Sequence, residues 1–181
     1  MPLSNRINHS MKRMKNKVQY ILNNNREAFH FLILFLLFSL VFFSIYFLFQ
    51  KSLEFMLFGT ATITGFFSNI IDMTVVVDGT ILSLGTIDFE IIHECTGIFA
   101  IMIISSSILA YPTQYKQKII GIIFIIPLIL SLNIIRLLIL IYVGKFHINL
   151  FEIVHSYLWQ GTFIIFIILA WFLWIELVVN R

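Results

Sequence analysis

Charge is what the sequence has least of. Only 12% of its 181 residues are Asp, Glu, Lys or Arg, against about 25% in soluble globular chains. The apolar set makes up 60%, where roughly 45–50% is usual. A soluble domain this small has too much surface for its volume to hide that much apolar area. Soluble, disordered and collagenous classes are therefore excluded. Cysteine is nearly missing as well. The single Cys95 excludes an internal disulfide, a disulfide framework and any multi-cysteine zinc site. There are no internal repeats and no low-complexity linker. What remains is an integral membrane protein, and its net charge of +3 has to be read by location.

Residues 1–28 form a basic tail in which Arg6, Lys12, Arg13, Lys15, Lys17 and Arg26 face a single acid, Glu27. From Phe29 to Phe49 the chain is apolar apart from His30, Ser39 and Ser44, long enough to cross a ~30 Å hydrocarbon core. It has no small-residue cleavage site and reads as an uncleaved anchor. Further spans are expected at 91–111, 119–143 and 156–179. The stretch Leu53–Ile71 is weaker, with two glycines, four hydroxyl residues, Asn69 and Glu54.

Charge asymmetry decides how that stretch is read. As a fifth span it would put the basic tail and Lys116/Lys118 on opposite sides. As an interfacial amphipathic segment it leaves four crossings, with the tail, Lys116, Lys118 and Arg181 all on one side, as the positive-inside rule expects. Nine of the twelve Lys and Arg then lie in the cytoplasm. The expected fold is an all-α integral membrane protein with four transmembrane helices, an interfacial segment at 53–71 and a small outer β ribbon. The 1–28 tail precedes one membrane-embedded domain, 29–181, of a multi-pass cell-membrane protein.

The ribbon is expected at 73–92. Val75 to Val77 and Ile81 to Leu84 flank Asp78-Gly79, a dipeptide favoured in tight hairpin turns. A second turn at Gly85-Thr86 precedes a third strand, Ile87–Ile92. Open sheet edges do not sit in lipid, so the ribbon belongs on the extracytoplasmic face.

Three polar residues stand out against this background. Cys95 opens the second span in HECTGIFA, Arg136 lies in the third in SLNIIRLLILIYVG, and His155 opens the fourth in FEIVHSYLWQ. Arg136 is seven residues before Val143, about 10 Å by helical rise, so all three meet just below the outer surface. Each has a plainer reading alone: an inert apolar thiol, a snorkelling arginine, an interfacial histidine. Their coincidence on one face favours nucleophilic chemistry. A thiol attacks as thiolate, and its pKa falls beside a cation, a protonated His or a helix N-terminus.

In that reading Arg136 stabilises the thiolate or the oxyanion of a tetrahedral intermediate, and His155 carries protons. Asn133, one turn from Arg136, orients the guanidinium or adds an oxyanion donor. Glu152, three residues before His155, either orients the imidazole or is a solvated loop acid. Glu94 and His93 flank the cysteine and point to other faces. A rival reading is a non-enzymatic transporter or assembly factor in which Arg136 binds an anionic group, although transporters favour paired broken helices or internal symmetry.

The ordered motifs resemble the exosortase/archaeosortase family of membrane cysteine transpeptidases: a ribbon leading into Glu94–Gly97 (ECTG), then Asn133–Arg136 (NIIR), then His155. The resemblance covers roughly Gly59 to Trp174, and Phe151–Gln160 is most similar to the short exosortase H type. It implies a catalytic set of Cys95, Arg136 and His155. It also implies exported substrate proteins whose C-terminal tail joins a short motif, a hydrophobic span and a basic end. The new carboxyl end would pass to a lipid or envelope acceptor. No metal, no organic cofactor and no nucleic-acid partner are expected; the lipid bilayer is the other partner.

Overall fold

The computed structural model describes residues 26–85, 87–157 and 161–179. The basic tail before Arg26, and Arg181, lie outside them. Helix α1 (Arg26–Phe49) has no buried residue. Leu40, Phe47 and Leu48 are 72%, 74% and 76% exposed, a surface that is stable in hydrocarbon and not in water. A short 3-10 turn, Gln50–Leu53, leads straight into α2 (Glu54–Ile70), so the weak segment of the sequence continues the first span as helix.

On α2 the small residues Ala61, Thr64, Gly65 and Ser68 form one buried face, at the spacing that lines up one side of a helix. The ribbon rests on that face. A Cβ on Gly65 would come within 2.2 Å of Val77 Cγ2, so only glycine allows the approach. Gly65→Ala is expected to cost about 1–3 kcal/mol through overpacking. Its melting temperature in detergent should fall accordingly, and an unchanged value would mean that the ribbon yields at no cost.

At the end of α2, Asn69 Nδ2 donates to the Val75 carbonyl at 3.0 Å and its Oδ1 accepts from Val75 N–H at 2.6 Å. This paired contact holds the reversal in which Asp72 and Thr74 adopt φ of 57° and 45°. A β-branched residue in that region is strained, and the Asn69 amide is what holds it there. The chain then forms β1 (Val76–Asp78), β2 (Ile81–Leu84) and β3 (Ile87–Glu90), an antiparallel sheet in the order β1-β2-β3.

The expected ribbon is present, with a shift at its first turn. Asp78 pairs with Ile81, so the turn residues are Gly79-Thr80 rather than Asp78-Gly79. Gly79 has φ of 62° and Thr80 is not among the positive-φ residues, the pattern of a turn with glycine at its first central position. Val77, Leu82 and Phe89 face each other across the strands and pack as one row into the core.

Helix α3 (Ile98–Ala110) has 13 residues, about 20 Å by helical rise. The sequence reading extends this span back to 91. In the structure Ile91 N–H instead bonds the Thr80 carbonyl at 2.9 Å, His93–Thr96 form a 3-10 turn, and Gly97 breaks the path with φ of 79°. Helix α4 (Tyr115–Phe146) has 32 residues, about 48 Å, and overshoots the expected 119–143.

Across the fourth expected span the described residues are the end of α5 (Ile148–Tyr157) and α6 (Phe163–Trp174), continued by a π turn over Ile175–Val179. The helical run 26–70 and α4 are long and apolar enough to cross a membrane, while α3 and the α6 stretch are shorter apolar helices.

Two core clusters stack along α4. Toward its start, Ala100, Ile104 and Ile108 of α3 meet Ile125 and Ile129 of α4 and Ala170 and Trp174 of α6. Trp174 Nε1 donates to the Gln117 carbonyl at 3.1 Å. Toward its end, Leu137 and Ile141 join the ribbon, Ala61 and Cys95. Lys145 Nζ donates to the Met73 carbonyl at 3.3 Å, tying the end of α4 to the loop between α2 and β1.

Candidate active site

The site forms where the two clusters meet. Cys95 is buried at 6% exposure in the 3-10 turn between β3 and α3. Its N–H bonds the Ile92 carbonyl at 2.8 Å. Thr96 Oγ1 donates to the His93 carbonyl at 2.7 Å and accepts from Ile98 N–H at 3.3 Å, so it closes the turn and starts α3. Gly97 links turn to helix in a left-handed conformation that a side chain would resist.

Asn133 reaches across from α4, and its Nδ2 donates to the Cys95 carbonyl at 2.6 Å. A Cβ at Gly97 would lie 3.3 Å from Asn133 Cγ, so the glycine also makes room for the clamp. One of the two Nδ2 protons of Asn133 is thus engaged with the backbone of the cysteine, a role beside those expected of it toward the guanidinium or an oxyanion.

Arg136, one turn further along α4, is buried at 7% exposure. It does not snorkel. It lies close enough to Cys95 for the two side chains to interact electrostatically. An ionised guanidinium kept away from water is costly unless it is paired, and the cysteine sulfur is one group that gains from it. Glu94 also acts electrostatically on Cys95, with the opposite sign to Arg136. The His93 ring stands edge-on to Tyr46 of α1 at 5.8 Å.

Of the five residues singled out in the sequence, the structure brings three together: Cys95, Asn133 and Arg136. His155 is placed otherwise. It is exposed, lies in the last turn of α5 rather than at the head of α6, and stacks on Phe151 at 5.7 Å. Phe151 in turn meets Phe89 of β3 at 5.4 Å. Among the described residues no hydrogen bond joins His155 to Cys95. The reason is the chain path: His147 interrupts the helix after α4, and the ten residues of α5 intervene where the sequence reading has a loop. Glu152 belongs to α5, and its side chain lies outside the described residues. Nor is Cys95 in the first turn of a helix, because α3 begins at Ile98.

Two hydroxyls escaped the sequence reading. Thr64 and Ser68, one turn apart on α2, are each 0% exposed, and among the described residues their oxygens have no hydrogen-bond partner. The helix that carries them packs against the cysteine turn. Their signal was present as a hydroxyl pair four residues apart beside Ala61 and Gly65. In composition it is indistinguishable from the general polarity of a weak segment.

Two spaces adjoin the site. A cavity of about 20 Å³, bounded in part by Gly97, Asn133 and Arg136, has room for about one water. A larger cleft of about 410 Å³ runs between α2 and α4. It is walled by Ile63, Phe67, Ile134 and Leu138 and reaches Thr96 and Asn133. The cleft therefore opens sideways from the bundle and ends next to the cysteine.

Fold and site together define a membrane-embedded helical protein with a buried thiol beside a buried guanidinium, under a three-stranded ribbon. The chain belongs to the transmembrane exosortase family of the EpsH type, whose pattern matches residues 25–175. The match begins well before Gly59 and so takes in α1. Neither a curated protein nor a solved structure matches the chain. Membership supports a membrane transpeptidase or protease role.

Proposed function

We propose that the protein is a membrane cysteine transpeptidase that cleaves the C-terminal sorting signal of exported proteins. The observation that supports this best is that Cys95 and Arg136 are both buried, with the Cys95 backbone clamped by Asn133, one turn from Arg136 on the same helix. In this reading the Cys95 thiolate attacks the scissile carbonyl, and Arg136 holds the negative charge that develops on its oxygen. Collapse breaks the C–N bond, and the leaving amine takes a proton from His155, which in this structure stacks on Phe151 and has to turn toward the thiol for the step. A thioester to Cys95 remains. An acceptor amine or hydroxyl on a lipid or envelope component then gives up its proton to His155 and attacks the thioester, and breaking the C–S bond frees the Cys95 thiolate beside the protonated imidazole. The α2–α4 cleft suits an extended or helical apolar segment approaching from the lipid.

Neutral hydroxylamine tests the thioester. Added to membranes that are processing a tagged substrate, it should divert product to the hydroxamate, and Cys95→Ala should yield none. Continued processing with no hydroxamate would remove the thioester from the route.

The active site is assigned to the extracytoplasmic face, with the N-terminus in the cytoplasm. Val76 on β1 is 68% exposed and provides a topology probe. A Val76→Cys, Cys95→Ala protein in intact cells should react with a membrane-impermeant maleimide from outside. Labelling that appears only after the membrane is opened would invert the orientation.

A further inference from the structure

At the opposite end of the bundle from the cysteine lies a second space, which the reaction does not use. It is a pocket of about 540 Å³ between the first turns of α1, the loop after α3 and the first turn of α4. Arg26 and His30 stand on one wall and Lys118 on the other, with Glu27 the one acid beside them. Arg26 and Glu27 are exposed, and among the described residues no ion pair joins Glu27 to either cation. Lys118 donates one ammonium proton to the Leu109 carbonyl at 2.6 Å, which positions the group at the rim and leaves two of its three protons. Further along α1, Phe31 and Leu34 line the same space.

We infer that this pocket binds the headgroup of an acidic glycerophospholipid. The cations line one space from two separate helices, and the net positive lining is complementary to a phosphodiester. The change from cations at the mouth to Phe31 and Leu34 within follows the order of phosphate and acyl chain in a lipid. The pocket lies where α1 and α4 pass from polar to apolar sequence, the level of the headgroups in a membrane protein. Arg supplies a planar fork to phosphate oxygens and Lys a point charge, so the two cations grip different edges of the group. The inference rests on the membrane placement of the helices and is independent of the chemistry at Cys95.

The test uses the full-length protein purified in a non-ionic detergent, with lipid retention read by native mass spectrometry. Phosphatidylglycerol should be retained in preference to phosphatidylcholine. The preference should fall roughly fivefold for each cation removed, in Arg26→Gln and in Lys118→Gln. Arg26 is exposed, so its replacement reads binding without disturbing the fold. Lys116→Gln, outside the pocket, should keep the preference. Glycerol phosphate in excess should displace little of the lipid, since it lacks the acyl chains that Phe31 and Leu34 contact. Equal retention of the two lipids overturns the proposal. So does a preference that survives both pocket substitutions, or an equal loss in Lys116→Gln. Full displacement by glycerol phosphate would reassign the pocket to a soluble phosphate.

Discussion

Cys95→Ala is expected to reduce processing of a co-expressed substrate at least about 10⁴-fold, the scale on which nucleophile removal acts in enzymes that form acyl intermediates. The same variant should accumulate and insert normally. Cys95 sits in a tight apolar cluster with Leu137, Ile141 and Leu82, and replacing its sulfur with hydrogen leaves a void smaller than that of an Ile→Val change, about 0.5–1.5 kcal/mol. The backbone of the turn is untouched, because the clamp from Asn133 reaches the carbonyl and not the sulfur. A loss of processing beside unchanged protein level therefore reports chemistry. Cys95→Ser should lose nearly as much, since a hydroxyl at this place needs a strong base to ionise and no hydrogen bond links it to one among the described residues. Unimpaired processing by Cys95→Ala would overturn the enzyme reading and restore the transporter or assembly-factor alternative, in which Arg136 acts alone.

The features legible in the sequence were those written in local chemistry. Ribbon strands alternate and are punctuated by glycines, so β1 to β3 can be placed from the pattern, with a slip of one residue at the first turn and of two at the end of β3, which stops at Glu90 rather than Ile92. Arg136 was conspicuous because a charge in an apolar helix is rare, and Cys95 because there is only one. What the pattern hid depended on the chain path. In 91–111 the polar pair His93-Glu94 and Gly97 are the only sign that the first residues belong to the ribbon and a 3-10 turn, and the long apolar run from Ile98 onward outweighs it in the reading of a span. Nothing between 143 and 156 announced a separate α5, and His155 moved with it. Helix α2 is hard to read for a different reason. Its glycines and hydroxyls lowered its hydropathy, yet they form the side that receives Val77 and Leu82. Small residues that permit close packing and polar residues that seek water look alike in composition.

Arg136→Lys is expected to slow processing roughly 10²–10³-fold, the usual loss when a donor to a developing oxyanion is removed, even though it keeps the formal charge. Three consequences of the geometry converge on this. The guanidinium is buried, and a lysine there is free to lose its proton when desolvated, as an arginine is not. Its ammonium has no planar fork, so it cannot face the sulfur and a substrate oxygen together. And the register is held from the neighbouring turn of α4, where Asn133 grips the Cys95 carbonyl, so the backbone cannot shift to bring a differently shaped side chain into place. Asn133→Ala should act on the same pair from the other side. With the clamp gone, the cysteine turn is free to move relative to Arg136, and a loss of about tenfold to a hundredfold is expected from misplacement alone. The two substitutions in one chain should cost less than the product of their separate effects, because each disrupts the same Cys95–Arg136 geometry. Processing rates measured against quantified, folded protein in membranes decide the matter. A rate for Arg136→Lys within threefold of the parent would show that a point charge suffices. Strictly multiplicative losses would separate the clamp from the guanidinium, leaving Asn133 as a brace for the fold.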